Sequence, residues 1–151
     1  WESGLLTDNP ADPGGLTRWG ISQRAHPTVD IQNLTRAQAV EIYRTEYWPK
    51  LTGLPAPVAA ITFDAVVHHG PTRGIKLLQL ALDVQADGLI GPVTISAAAR
   101  LLASTPLGLN QEFSARRAHF CALLDTFPAF GLGWMRRVMG LHDSSRSLLW
   151  D

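Results

Sequence analysis

The segment from Glu2 to Ser22 gathers groups that can do chemistry into a stretch too rich in turn formers to have been chosen for packing. Glu2, Asp8, Asp12 and Thr17 lie among Asp8-Asn9-Pro10, Asp12-Pro13-Gly14-Gly15 and Gly20. Carboxylates and a hydroxyl at this density suit cleavage of a glycosidic bond. That reaction needs an acid to protonate the leaving oxygen and usually a second carboxylate acting on water or on the sugar. A glutamate just ahead of a glycine-laden hairpin can be half-buried, which raises its pKa toward the working range of a proton donor. An aspartate or threonine across the hairpin could then hold the attacking water. Without further information the plainer reading is that acidic turn residues cap backbone groups and face water.

Other residues could serve such a site. Trp19, inside the hairpin, and Trp48, at a helix end, could stack on the apolar faces of sugars, whereas Trp134 fits a helix stripe and reads as core. His68 and His69 are adjacent, with Asp64 one turn before His68. Neighbouring positions do not share a helix face and no third ligand is indicated, so a structural or substrate-contact role is expected and no metal site. His68 could hydrogen-bond a sugar or an acetamido group. Arg136 and Arg137 could meet peptide carboxylates, with surface solvation as the default. Cys121, the single cysteine, lies in a helical pattern with Phe120, Leu123 and Leu124 and reads as a buried, inert thiol.

The elements that must position these groups are mainly helical. Thr17-Arg18-Trp19 reads as a brief strand after the Gly14-Gly15 turn. Thr35-Arg36-Ala37-Gln38 is a capping box, and Val40, Tyr43 and Tyr47 then mark one apolar stripe of a helix that Pro49 ends after Trp48. Pro55 and Pro57 open a helix through Ile61, Phe63 and Val67 that stops at Gly70-Pro71. Residues 72–83 predict a further helix, apolar on most sides at Ile75, Leu77, Leu78, Leu80 and Leu82, and hence central to the core. Asp87-Gly88-Leu89-Ile90-Gly91-Pro92 is a tight connection in which Asp87 and Thr94 tie backbone donors, and Pro92 opens a helix to about Leu102. Asn110 can cap another reaching about Phe127, and a last segment follows Pro128 with Trp134, Met135 and Val138. The expectation is five or six helices and one small N-terminal β-hairpin.

With 151 residues, 46% of them hydrophobic, the chain buries an ample core and requires neither disulfide nor structural metal. Lys+Arg and Asp+Glu balance at 13 each, which argues against a nucleic-acid partner. The acidic residues Asp8, Asp12, Asp30, Glu41 and Glu46 crowd the front. The basic residues Arg100, Arg116, Arg117, Arg136, Arg137 and Arg146 crowd the back, an asymmetry that could suit an anionic polymer, with a solvated helical surface as the default. No apolar run is long enough to span a bilayer and no signal peptide is visible, so no membrane insertion is expected.

The run Glu-x-Gly-x(3)-Asp-x(3)-Asp-x-Gly-Gly-x-Thr-x-x-Gly-Ile, taken from Glu2 to Ile21, resembles the N-terminal signature of glycoside hydrolase family 108. These are N-acetylmuramidases found among phage endolysins and bacterial secretion activators. Tyr47-Trp48-Pro49-Lys50, Phe63-Asp64-Ala65, Gly70, Leu78-Gln79, Asp87 through Thr94, and Gly133-Trp134 with Arg137 resemble their C-terminal half, described as a predicted peptidoglycan-binding domain. Ser3 stands where the family has glycine, and His68 where it commonly has asparagine.

The resemblance implies a lysozyme-like fold. A catalytic lobe over residues 1–55 would carry Glu2, and a helical, peptidoglycan-binding-like lobe over residues 56–151 would pack with it. It implies hydrolysis of the β-1,4 bond between N-acetylmuramic acid and N-acetylglucosamine, without cofactor. Glu2 is then the general acid, Thr17 holds water, and Asp12 or Asp8 is the second carboxylate. Trp19, Trp48, His68 and His69 are substrate contacts. The partner is the glycan strand of peptidoglycan, met by a monomer at the bacterial wall, in the periplasm or outside the cell, after export by a holin or a secretion system. Because the fold places a helix ahead of the acid, one is expected before Trp1. The alternative is a module that has lost catalysis and only binds the wall.

Overall fold

The computed structural model describes residues 4–10 and 14–150, with side chains as far as Ser144. The chain divides into two compact units, residues 1–46 and residues 47–151.

The first unit is built on a hairpin and one short helix. Strands β1 (Thr17–Arg18) and β2 (Ile21–Ser22) pair antiparallel, Thr17 opposite Ser22 and Arg18 opposite Ile21. The sequence reading extends the strand through Trp19. Instead Trp19 and Gly20 form the turn, both left-handed with φ of 53° and 73°. Two successive positive φ angles match the right-handed twist of a tight hairpin, and glycine meets that demand where tryptophan must be held to it. An isolated bridge joins Thr7 to Thr17 through reciprocal backbone bonds of 2.9 and 2.8 Å. Gln23 closes the following loop, its Nε2 donating to the carbonyls of His26, Pro27 and Val29.

Helix α1 (Arg36–Ile42) opens on the expected capping box: the Thr35 amide donates to Gln38 Oε1 at 2.9 Å and the Gln38 amide to Thr35 Oγ1 at 3.3 Å. It is shorter than its pattern suggests. From Tyr43 to Tyr47 the backbone widens into a π turn, then tightens into a 3-10 turn over Trp48–Leu51 that contains Pro49. Its inward face also differs: Ala39 is buried and Val40 is exposed. Ile21, Ile31, Leu34 and Ala39 form a small core with Leu16, Trp19, Val29, Ile42 and Tyr43 packed against it.

The second unit is all helical among the described residues. It comprises α2 (Ala56–His69), α3 (Pro71–Ala81), α4 (Pro92–Ser104), α5 (Pro106–Ala122) and α6 (Phe127–Trp150). Three of these begin at proline, whose missing N–H is no loss where the first-turn amides are unpaired anyway. Only Gly70, with φ of 80°, separates α2 from α3. The two helices then pack closely at Gly74: a Cβ there would lie 2.7 Å from the Val66 amide nitrogen. The core joins α2, α3, α4 and α5 through Val58, Ile61, Val66, Leu78, Leu82, Ala98, Leu109 and Phe113. Leu80, expected inside, is 43% exposed. Asn110 does not cap a helix as expected. It is buried within α5, and its Nδ2 donates to the His142 carbonyl on α6 at 3.1 Å. Cys121 is fully buried.

Among the described residues, no helix is long and apolar enough to cross a membrane.

Candidate active site

Of the four residues read as catalytic, Glu2 and Asp12 lie outside the described residues; Thr17 and Asp8 are within them. Thr17 sits half-buried on β1, its Oγ1 donating to the Gly15 carbonyl at 2.9 Å. That bond uses its only proton, so toward a water the hydroxyl oxygen can only accept. The Thr7–Thr17 bridge brings Asp8 to within one residue of the strand partner of Thr17, with Asp8 exposed.

The hairpin also fixes the chain just after Glu2. Arg18 Nε donates to the Gly4 carbonyl at 3.0 Å, and Arg18 Nη1 to the Gln32 carbonyl at 2.8 Å. Gly4 lies flat against Trp19: a Cβ on it would fall 2.5 Å from Trp19 Cζ2. The turn is held in its strained form by Tyr43, whose hydroxyl donates to the Trp19 carbonyl at 2.9 Å. Gly4, Arg18, Trp19 and Tyr43 thus form one rigid mount. The sequence singled out Trp19 within it; Gly4 was visible only as a motif glycine, and Tyr43 only as a stripe residue.

Trp48 belongs to the second unit, 46% exposed and edge-on to Phe63 at 5.4 Å. His68 and His69, at the end of α2, are half-buried and lie in a polar cluster. The Asp64 carboxylate is its centre, accepting from Arg117 Nη2 at 2.7 Å and from Arg137 Nε at 2.9 Å and Nη2 at 2.8 Å. Arg117 is 1% exposed, which corrects the solvated surface expected for it. Arg137 is likewise ion-paired and mostly covered, while Arg136 beside it is exposed.

Electrostatics follow from this packing. Burial works against the Asp64 anion, but the hydrogen bonds and charges of Arg137 and Arg117 outweigh it and hold the carboxyl below its ordinary range. Burial, then the charges of Arg137 and Arg117, push His68 down to about 4. Burial, then the His68, Arg117 and Arg137 charges, push His69 down to about 2. Both rings are therefore neutral at physiological pH. His68 Nδ1 lies 3.4 Å from Arg117 Nη2, and its ring is edge-on to Trp134. His69 Nε2 and Arg117 Nε are buried without a hydrogen-bond partner among the described residues.

A second hub shows in the sequence only as the Leu78-Gln79 motif. Gln79, 1% exposed, donates to Asp87 Oδ1, the Leu89 carbonyl and Thr94 Oγ1, and accepts from the Gly88 amide at 2.8 Å. Asp87 Oδ1 also accepts from the Leu89 amide, as expected of a turn-tying aspartate. No group of three His, Cys, Asp or Glu side chains placed to hold a metal occurs among the described residues.

Comparison with known proteins connects the hairpin segment to a family. The family model described as Glycosyl hydrolase 108 matches residues 1–70. No curated protein sequence gives a significant match. Among solved structures, that of Brucella abortus SagA superposes with a TM-score of 0.86 at 33% identity, covering 99% of this chain and 90% of that one. A family match over the hairpin segment and a relative this similar along the whole chain lead to one conclusion: the chain belongs to glycosyl hydrolase family 108.

Proposed function

We propose that this glycoside hydrolase is a lysozyme-type muramidase. It would cleave the β-1,4 bond between N-acetylmuramic acid and N-acetylglucosamine in peptidoglycan, with Glu2 as general acid. One observation carries the reading: the match to the Glycosyl hydrolase 108 model covers residues 1–70 and so includes Glu2, Asp8, Asp12 and Thr17.

Glu2 gives its proton to the bridging oxygen as the bond to the anomeric carbon breaks. A water adds to that carbon and loses its proton to Asp12 or Asp8, which restores neutrality to the sugar product. Thr17 supports this step in a definite sense. With its own proton committed to Gly15, it accepts from the water and leaves the water's lone pairs facing the sugar. Inversion with this geometry needs roughly 6.5–9.5 Å between the carboxyls. Trp19 and Trp48 offer ring faces to sugars, and residues 56–151 add affinity for the wall. The site of action is the bacterial wall.

Turbidity clearing of purified peptidoglycan by wild type beside Glu2→Gln tests the proposal, with the products identified by mass spectrometry. Clearing by wild type alone, with N-acetylmuramic acid at the new reducing ends, supports it. Equal clearing by both removes Glu2 as the acid. Retention on sacculi with no clearing by either leaves a wall-binding module instead.

A further inference from the structure

Helix α6 carries a face that its own unit leaves open. Leu132 is 68% exposed and Met139 63%, and Arg136 and Asp143 are exposed on the same helix. Positions 132, 136, 139 and 143 fall on one side at 3.6 residues per turn. Beside this stripe, α5 and α6 enclose a groove of about 250 Å³, lined by Ser114, Ala115 and Ala118 on α5 and by Met135, Met139 and His142 on α6. The small α5 residues leave the groove open to a ridge from outside.

The charges specify the occupant. Arg136 and Asp143 are opposite in sign, two turns or about 10 Å apart, with Met139 between them. A second α6 laid antiparallel, its two-fold axis between Met139 and Gly140, sets Arg136 against Asp143 of the second copy and Asp143 against Arg136 of the second copy. One operation therefore satisfies both pairs, as an isologous contact requires. Each Met139 then meets Gly140 of the other helix, where no side chain blocks it. A parallel arrangement in register would oppose like charges. An anionic lipid surface would be attracted by Arg136 but repelled by Asp143 on the same stripe, so the paired charges favour a partner that carries both signs. We propose that the chain associates with a second copy of itself through α6, as a two-fold antiparallel dimer, in place of the monomer expected from the sequence.

Sedimentation velocity from about 5 to about 500 µM chain reads the association directly. Wild type should move from monomer to dimer across this range. Arg136→Glu alone, or Asp143→Arg alone, puts like charges together in both pairs and should weaken association about tenfold or more. The combined swap restores both pairs and should recover the wild-type curve. Met139→Glu should leave a monomer. All these positions are exposed, so circular dichroism should be unchanged. A wild type that stays monomeric throughout overturns the proposal, as does a dimer indifferent to the charge variants. A monomer that instead co-sediments with vesicles of anionic lipid overturns it too.

Discussion

Asp64 and Arg117 meet at 2.7 Å although 53 residues separate them, and the guanidinium is 1% exposed. This contact ties α2 to α5, and through Arg137 to α6. Removing one partner of a buried pair leaves an uncompensated charge, which costs about 3–5 kcal/mol. Asp64→Asn keeps the shape and discards the charge, so urea unfolding should show a loss of that size. Adding Arg117→Met should recover part of it. The same pair sets an acid limit. Because the folded-state pKa of Asp64 lies below its ordinary 3.8, the stabilisation is present above about pH 4 and drains away as pH falls toward the folded value.

The contrast between this cluster and the hairpin shows what the sequence makes legible. Gly14-Gly15, Gly20, Thr35 with Gln38, and Gly70-Pro71 and Pro92 act on their immediate neighbours, so their effects can be read from local spacing, although the helix that Pro106 opens reads as starting at Asn110. Arg117 and Arg137 lie in helices whose pattern gives no sign of Asp64, and a guanidinium in a mixed helix reads as solvated by default. Gln79 was equally opaque, since its partners lie across a turn. The shortened α1 is not legible because the π turn that ends it leaves the residue spacing looking helical.

His68 and His69 should make the fold sensitive to mild acid. Their folded-state values of about 4 and about 2 lie below the ordinary 6.5, so the unfolded chain binds protons that the folded chain refuses. The stabilisation is therefore complete above about pH 6.5. It is lost toward about pH 4 for His68 and further still for His69, at up to about 1.4 kcal/mol per pH unit for each ring. Urea midpoints measured from neutral pH down to about pH 5 should fall steeply for wild type. His68→Gln should flatten that slope, and an unchanged slope would show that the His68 ring does not stay neutral in the folded chain.

Gln79 should govern the order of the connection from Asp87 to Thr94. Its two amide hydrogens serve three acceptors and its oxygen holds the Gly88 amide, so Gln79→Ala strands buried polar groups on both sides. A cost of about 2–4 kcal/mol follows from losing a hub of this kind. Hydrogen exchange at the Gly88 and Leu89 amides should accelerate more than exchange in α5. Uniform acceleration would mean that the residue only adds global stability.

Gly4→Ala should separate the mount from the bulk of the fold. The new methyl would fall 2.5 and 2.6 Å from Trp19 Cζ2 and Cη2, so either the ring or the chain must move. The ring resists, because the left-handed Trp19 backbone is fastened by Tyr43 and closes the hairpin. The chain at Gly4 therefore shifts, and with it the segment leading back to Glu2. A displacement of about 1 Å at a reacting group can cost about 100-fold in rate, so hydrolysis of peptidoglycan should fall about 10- to 100-fold. The helical core of residues 47–151 lies in a separate unit, so its thermal unfolding should hardly change. Shrinking the ring in Gly4→Ala with Trp19→Ala should return part of the rate if position is the cause. Full activity in Gly4→Ala alone would mean that the hairpin does not set the position of the proposed acid, Glu2.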